Sequence, residues 1–311
     1  MQQWFLPGGL VLAIALALVA PEPGSAVNRT GLVSWLVATI FLVNGYQTRI
    51  DARRLGRRFL RVLAAGAGIG LLLSPWLGVA TAALLGLPAA AALGLVVMAS
   101  MPPTLSSGVI LTGNAGGDVL WAMLLTILLN LAGIVSVPFV LDLALEAGAE
   151  VAISPWPLLW RLLTLVLVPF VAGVGLRRLF ESRPPGWVRY VPSTCIIITV
   201  WMAMSASSGT LLELTAGALG LIVAGALLVH GALLGLCAAA GRALELAPAE
   251  RIAVLFVVSQ KTLPVALGVL TALEAPIAGA LVVCIVFHFL QLMVDAVLAA
   301  RLRPPARLRS G

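Results

Sequence analysis

The sequence predicts an all-α polytopic membrane protein with ten transmembrane helices in two inverted repeats of five. Of its 311 residues 61% are hydrophobic and 10% are charged, whereas a soluble domain has about 25% charged residues. Apolar runs near the length of about 20 residues that crosses a bilayer recur along the chain. This composition excludes most soluble enzymes. The net charge of +7 is attributed to loop arginines that meet anionic membrane lipids, and no nucleic-acid partner is expected.

Apolar runs separated by proline, glycine and charge clusters predict the ten helices. They are expected at residues 4–20, 31–48, 62–78, 88–113, 118–141, 155–176, 190–207, 216–240, 252–272 and 276–300. The fourth and ninth differ from the others because each is interrupted near its centre. Met101-Pro102-Pro103 interrupts the fourth, and the run from Gln260 to Pro264 interrupts the ninth.

Cations in the loops predict the orientation of the chain. Sixteen of the 19 cations fall in loops of one predicted side, and the alternate loops carry Arg29 alone. Because cytoplasmic loops hold an excess of Lys and Arg, both termini are expected on the cytoplasmic side of the plasma membrane, which is the inner membrane in a bacterium. The other two cations are Arg161 and Lys261. Arg161 lies near the outer end of the sixth span, where its guanidinium can extend to the lipid headgroups.

Ten spans divide into two halves, residues 1–143 and 144–311, and five spans per half place the halves upside down relative to each other. The interrupted spans are then the fourth of each half. Paired interruptions at corresponding positions indicate a transporter's midplane site, because broken helices free backbone groups that can bind an ion or anion. The alternative is a pair of proline kinks that neighbouring helices satisfy.

Polar side chains cluster at both interruptions, beside the helix-breaking Pro102, Pro103 and Pro264. The candidate substrate- and ion-binding residues there are Thr104, Ser106, Ser107, Ser259, Gln260, Lys261 and Thr262. Lys261 is the only lysine in the chain, and an ammonium within a membrane needs a partner or a watery cavity.

Two histidines lie in the later spans. His288, Gln291 and Asp295 share one helical face, which is either a proton path or a set of hydrogen bonds across helices. His230 stands alone on its span and is expected to be a core histidine with satisfied polar atoms.

The sequences at the two interruptions resemble those of the bile acid:sodium symporter family, and most closely those of its subgroup related to the seventh member of solute-carrier family ten. The resemblance rests on residues 101–112, on Gly116-Gly117-Asp118 and on residues 259–264, with weaker support from residues 38–45 of the second span. It implies that spans 1, 2, 6 and 7 form a panel and that spans 3, 4, 5, 8, 9 and 10 form a core. The broken helices would cross in the core, and the two parts would rock to move an organic anion with sodium.

The resemblance also implies ligands for a sodium ion, which is the one cofactor-like group expected. They are Ser106, Ser107 and Thr126, and Asn130, one turn beyond Thr126, is expected to line the same site. Gln260 matches the family's glutamine of the ninth span.

The chain departs from the family where other sodium ligands are expected, since Ala122, Phe256 and Gly70 occupy those positions. Lys261 replaces the family's asparagine at the crossing. A fixed positive charge there repels a second sodium ion. We hypothesise that the Lys261 ammonium substitutes for a cation, and that it either exchanges a proton or attracts the anionic substrate.

The predicted function is secondary active transport of a small organic anion, coupled to sodium or protons, by a chain that is not an enzyme. One alternative is another carrier on this scaffold, such as an arsenite exporter, which uses a cysteine near the broken helix. Cys195, Cys237 and Cys284 do not adjoin a break in the sequence, but the sequence alone does not place Cys284 of the tenth span relative to the breaks. Another is a membrane-embedded hydrolase with Ser259 as nucleophile and Lys261 as base, which meet only if the helix unwinds. A channel is a third alternative, but the sequence contains no charged ring or repeated filter sequence that would support it.

Overall fold

The structure, a computed structural model, describes residues 2–48, 56–148, 153–180, 185–273 and 278–303. Within these ranges the regular structure is helical, with π-helical turns at Gly68–Leu73 and Leu163–Leu167 and a 3₁₀ turn at Val188–Tyr190. The α-helices are α1 (Gln2–Val19), α2 (Pro21–Asn28), α3 (Leu32–Gln47), α4 (Arg57–Ala67), α5 (Ser74–Leu85), α6 (Ala89–Ser100), α7 (Ser107–Asn114), α8 (Val119–Gly148), α9 (Pro155–Leu162), α10 (Val168–Leu179), α11 (Val191–Ala206), α12 (Ser208–Leu212), α13 (Ala216–Ala243), α14 (Pro248–Ser259), α15 (Leu263–Leu270) and α16 (Ala278–Leu302).

The chain is a polytopic all-α membrane protein. Seven helical stretches of the described residues are long and apolar enough to cross a membrane, and an eighth is added if α1 and α2 form one span bent by 103°. Helical segments lie at all ten predicted positions. The remaining two are α3 and the pair α6–α7, whose individual helices are shorter. Ten crossings therefore stay a prediction.

The third and fifth predicted spans extend beyond their predicted bounds. The third begins at Arg57 instead of residue 62, and its 29 residues make a helix of about 43 Å. Because this exceeds a hydrocarbon core of about 30 Å, Arg57, Arg58 and Arg61 can lie outside the hydrocarbon in the same helix. The fifth continues to Gly148, so the predicted boundary after residue 143 falls inside α8.

Helix α2 occupies a stretch that was expected to be a loop. Pro21 stands at its start and Glu22 in its first turn. Proline is well tolerated at the first helical position, and a carboxylate there is favoured by the helix dipole. The local sequence therefore supports this helix, although its eight residues are too few to give a periodic signal.

Both predicted interruptions are present, and the two broken spans have the same pair of helix lengths. In the fourth predicted span, α6 has 12 residues and α7 has 8. In the ninth, α14 has 12 residues and α15 has 8. We call residues 101–106 the first break and residues 260–262 the second break.

Most helix contacts fall within two sets. In one, α3 packs along α10 and α11, and α11 along α1 and α2; in the other, α5, α6, α8, α13, α14 and α16 pack on one another. The α3–α10 contact is very close, since a Cβ added at Gly173 would lie 2.0 Å from the Leu42 carbonyl oxygen. Contacts of α9 with α8, α11 with α16, and α15 with α3 join the two sets.

The surface agrees with a membrane environment where it is described. Four tryptophans are between 66% and 74% exposed, namely Trp35, Trp156, Trp160 and Trp187, and large aromatic side chains of this kind favour the membrane–water interface. Six of the arginines that predict the orientation lie outside the described residues: Arg49, Arg53, Arg54, Arg183, Arg307 and Arg309.

Candidate functional site

The two interrupted spans meet at their breaks. The backbone turns extended at Met101 after α6 and at Gln260 after α14, with ψ of 151° at both residues. The Thr262 amide donates to the Pro102 carbonyl oxygen at 3.0 Å. The carboxyl ends of two helices and the amino ends of two others therefore meet in the protein interior. Helix ends of both kinds carry partial charges that attract ions.

Three side-chain oxygens form a tight cluster between the breaks. The Thr104 hydroxyl lies 2.5 Å and the Ser107 hydroxyl 2.7 Å from Gln260 Oε1, and the two hydroxyl oxygens are 2.6 Å apart. Each hydroxyl supplies one hydrogen, so two hydrogens serve three oxygen–oxygen contacts. We call this group the oxygen cluster.

Lys261 is fully buried at the crossing, with 0% of its surface exposed. Its ammonium donates to the carbonyl oxygen of Gly70 and, at 3.1 Å, to that of Met101. Gly70 lies in the π-helical turn between α4 and α5, and such turns are frequent at functional sites. No carboxylate among the described residues forms an ion pair with this ammonium. Backbone carbonyls therefore hold the charge.

The Gln291 amide holds the second break from α16. Its Oε1 accepts from the Lys261 backbone N–H at 2.9 Å, and its Nε2 donates to the Lys261 carbonyl oxygen at 2.7 Å. His288 Nδ1 lies 2.9 Å from Gln291 Nε2 and 3.3 Å from the Lys261 carbonyl oxygen. One side-chain amide thus satisfies both polar groups that the unwound residue exposes.

Asp295 links the crossing to α13. Its Oδ2 accepts from Gln260 Nε2 at 2.7 Å, and its Oδ1 lies 2.9 Å from His230 Nε2. His230 is a core histidine, as expected, but only one of its ring nitrogens is satisfied: Nε2 pairs with Asp295, and the buried Nδ1 has no hydrogen-bond partner. Ionisable groups are rare in these spans, and a buried charge needs a partner, so the sequence could have indicated that His230 and Asp295 pair with each other.

Two further predicted residues lie on α8 beside the first break. Asn130 Nδ2 donates to the Pro103 carbonyl oxygen at 3.0 Å and to that of Thr126 at 2.8 Å. The Thr126 hydroxyl oxygen and Asn130 Oδ1 are both buried without a hydrogen-bond partner. They are therefore free to meet a ligand.

The remaining predicted residues differ in their placement. Pro102 and Pro103 lie in the first break, and Pro264 in the first turn of α15, where a missing N–H breaks no helical bond. Ser106 is exposed, and its carbonyl oxygen accepts from the Ile110 amide at 3.0 Å. Ser106 thus stands apart from the oxygen cluster, in which Thr104 and Gln260 are buried and Ser107 is partly buried.

The geometry does not favour the Ser/Lys hydrolase, and Cys284 does not adjoin a break, whereas Cys237 of α13 is buried close enough to Lys261 for the two groups to interact electrostatically. The Ser259 hydroxyl donates to the Leu255 carbonyl oxygen of its own helix at 2.6 Å, and it forms no hydrogen bond with Lys261. Cys284 contacts the Gly94 carbonyl oxygen at 3.4 Å, inside α6 and away from its break. The nucleophile–base contact of a Ser/Lys hydrolase is therefore missing in this conformation.

A cleft lies beside the first break, between the two helix sets. Its lining is apolar except for Asn130 and comprises Phe41, Leu105, Ile127, Asn130, Leu131, Ile134, Val166 and Phe170. Helices α3 and α10 contribute from one set, and α8 and the first break from the other. The free volume of the cleft, about 10 Å³, is no more than a single water molecule needs, so an organic ligand would require the two helix sets to move apart before it met these side chains.

Comparison with known proteins places the chain among transporters. The model of the SBF-like CPA transporter family matches residues 3–304. The rice (Oryza sativa subsp. indica) protein named probable sodium/metabolite cotransporter BASS4, chloroplastic, is 31% identical over 317 residues, which cover 94% of this chain and 74% of the rice protein. The Arabidopsis thaliana protein of the same name is 29% identical over 314 residues, covering 94% and 71%.

An animal relative extends the comparison. Sodium/bile acid cotransporter 7 of Mus musculus is 28% identical over 214 residues, which cover 64% of this chain and 61% of the mouse protein. The family model spans almost the whole chain, in agreement with the resemblance that the two interruptions carry. The chain is therefore a membrane transporter and not an enzyme, and it belongs to the bile acid:sodium symporter family, in the group that the SBF-like CPA transporter model describes.

Proposed function

We propose that the chain moves a small organic anion by alternating access around the crossing of its two breaks, coupled to a sodium ion or a proton. The observation that carries the proposal is Lys261, whose buried ammonium is held by backbone carbonyls of the π-helical turn and the first break. A charge in this position is costly within a membrane and marks ion or substrate pathways. A helix with a purely structural role does not need a buried ammonium.

Ten spans in two inverted repeats are part of this proposal. The matched lengths of the broken spans support it, since a helix of 12 residues precedes and one of 8 follows each break. Transporters with inverted repeats form their sites from such discontinuous helices. The boundary between the repeats would lie between α8 and α9.

The proposed moving parts are a panel of spans 1, 2, 6 and 7 and a core of spans 3, 4, 5, 8, 9 and 10. The two packing sets support this division, because α1, α3, α10 and α11 associate with one another and the crossing lies in the other set. The apolar cleft runs between these sets. Rocking of one set against the other would open such a cleft to alternate sides.

We propose the first break as the place for a cotransported sodium ion. The oxygen cluster has one more oxygen contact than it has hydroxyl hydrogens, and the Thr126 hydroxyl is a buried oxygen without a partner. Neutral oxygens of this kind suit a hard monovalent cation. The rice and mouse relatives are named as sodium cotransporters, which supports sodium over protons at this position.

Lys261 is proposed to take the place of a second cation. The family positions that would otherwise supply acceptors hold Ala122 and Phe256, both 0% exposed, and neither can bind an ion. An ammonium donating to two carbonyls fills the role that a bound cation has between helix ends. Loss of its proton during the cycle would couple transport to protons instead.

Uptake by proteoliposomes tests this function. A labelled small carboxylate is supplied under an inward sodium gradient, an inward proton gradient, or neither, to the wild type and to Lys261→Met. We expect accumulation that one gradient drives, and for Lys261→Met a rate lower by at least about tenfold with altered dependence on that gradient.

A matched control for this experiment is Thr199→Val. Thr199 is also buried, on α11, and donates only to the Cys195 carbonyl oxygen of its own helix. It should retain the wild-type rate and coupling. The proposal fails if neither gradient drives accumulation, or if Lys261→Met retains both the rate and the coupling of the wild type.

We further propose that both termini face the cytoplasm across the plasma membrane, or across the inner membrane in a bacterium. The sorting of loop arginines supports this orientation. A membrane-impermeant maleimide should label Arg29→Cys in intact cells and should label Arg303→Cys only after lysis. The reverse pattern would refute the orientation.

A further inference from the structure

Arg161 contacts the opposite set of helices. It lies in the last turn of α9, and its Nη2 donates to the Thr271 hydroxyl at 3.0 Å. Thr271 directly follows α15, the second half of the ninth predicted span. The guanidinium therefore does not simply extend to the lipid headgroups, as the sequence suggested. It forms one of the contacts between the proposed panel and the proposed core.

The helix end at Thr271 attracts a cation. The last carbonyls of α15 point towards this residue, and the Thr271 hydroxyl itself donates to the Gly268 carbonyl oxygen at 3.0 Å. A helix carboxyl end carries a partial negative charge. Arg161 thus has a favourable resting position that uses one of its five N–H donors.

A second donor of Arg161 is buried and unused. Its Nε has no accessible surface and no hydrogen-bond partner, and a buried donor in this state is costly. Among the described residues no carboxylate forms an ion pair with Arg161, although Asp142 and Glu146 lie on the neighbouring α8. The Nε and Nη donors of a guanidinium form a fork that matches the two oxygens of a carboxylate.

Lys261 is unsuited to bind the anion directly. Its ammonium is fully buried and donates to two backbone carbonyls. Within the predicted spans, Arg161 is the other cation. It precedes the π-helical turn Leu163–Leu167, which contributes Val166 to the cleft. Arg161 thus lies five residues before one member of the cleft lining in the chain.

We propose that Arg161 binds the carboxylate of the transported anion at one end of the cleft, and that Thr271 is the partner which the substrate displaces. This inference rests on the proposed function and names the residue that selects an anion. Binding would satisfy the unused Nε donor and release the contact between the two helix sets. Substrate entry would then loosen the panel from the core at this end.

A thermal-shift experiment on the full chain in nanodiscs tests the proposal. The probes are acetate, lactate, succinate and benzoate, each paired with its neutral amide. A carboxylate that binds the folded state raises the apparent stability, and at least one should do so for the wild type beyond its amide. Arg161→Gln should abolish this difference. Arg161→Lys, which keeps the charge without the fork, should retain it with affinity weaker by about tenfold.

Other variants separate the competing roles of Arg161. Thr271→Val removes the resting partner and should keep or strengthen the carboxylate effect. Glu274 lies outside the described residues and is the acidic residue nearest to Thr271 in the sequence, so Glu274→Gln tests an internal ion pair. A carboxylate effect that appears in Glu274→Gln and not in the wild type would show that Glu274 already occupies Arg161, and it would overturn the proposal. So would an Arg161-dependent stabilisation by phosphatidylglycerol without any effect of carboxylates.

The outcomes also distinguish this inference from the proposed function. If one carboxylate stabilises the wild type and Arg161→Gln equally, the anion remains a ligand and the role of Arg161 is refuted. If no carboxylate stabilises the wild type more than its amide, the inference is refuted together with the proposed anionic substrate. Stability without ligand, measured for every variant, shows which of them fold.

Discussion

The two breaks at the crossing have matched helix lengths but are held in different ways. In the first break, short hydroxyl side chains satisfy one another, Ser106 is exposed, and Leu105 lines the cleft. In the second break all three residues are buried, and side chains from another helix hold the backbone. This difference indicates that the second break is a fixed platform, whereas the first leaves groups available to a ligand.

The largest expected effect lies in the second break. Gln291→Leu removes the partner of both the N–H and the carbonyl of Lys261. Leaving two buried groups unsatisfied should lower the free energy of unfolding by about 2–5 kcal/mol, measured by denaturation in mixed micelles.

Gln47→Leu is the control for this substitution. Gln47 makes one part-buried hydrogen bond, to the Val188 carbonyl oxygen at 3.2 Å, and the loss should be about 1 kcal/mol or less. Equal losses for the two variants would argue against a platform at the second break.

The half-helices after the two breaks should respond differently to added volume. A Cβ at Gly108 of α7 would lie 3.1 Å from the Phe256 carbonyl oxygen, whereas one at Gly268 of α15 would meet nothing within 4 Å. Gly108→Ala should therefore cost about 1–2 kcal/mol through overpacking. Gly268→Ala should be neutral or stabilising by up to about 1 kcal/mol, because alanine favours helix. The same unfolding measurement would contradict this contrast if Gly268→Ala were the more damaging change.

The smallest expected effects lie at the end of the first break and at Ser107, the first residue of α7. Ser107→Ala removes one member of the oxygen cluster and should cost about 1 kcal/mol. Ser106→Ala, at an exposed position without a side-chain hydrogen bond, should change stability by less than about 0.5 kcal/mol. Sodium-driven uptake should fall more for Ser107→Ala than for Ser106→Ala. A larger fall for Ser106→Ala would instead place the proposed sodium ion at the exposed Ser106, outside the oxygen cluster.

The same contrast explains what the sequence could predict. Prolines and hydroxyls at 102–107, and a lysine beside Pro264, are local signals, and they located both breaks. The acceptors of Lys261 could not be predicted, because they are backbone carbonyls and one belongs to Gly70, 191 residues away. The pairing of His230 with Asp295 likewise depends on how α13 packs against α16, for which helical periodicity gives no signal.

Sodium-dependent stability of Lys261→Met tests most directly whether the Lys261 ammonium replaces a bound cation. Melting temperatures of the wild type and the variant are compared in sodium chloride and in choline chloride at equal ionic strength. Because the variant leaves the carbonyls of Gly70 and Met101 without a donor, sodium should stabilise it more than it stabilises the wild type. An equal or smaller sodium-specific stabilisation of Lys261→Met would contradict a built-in cation at the crossing.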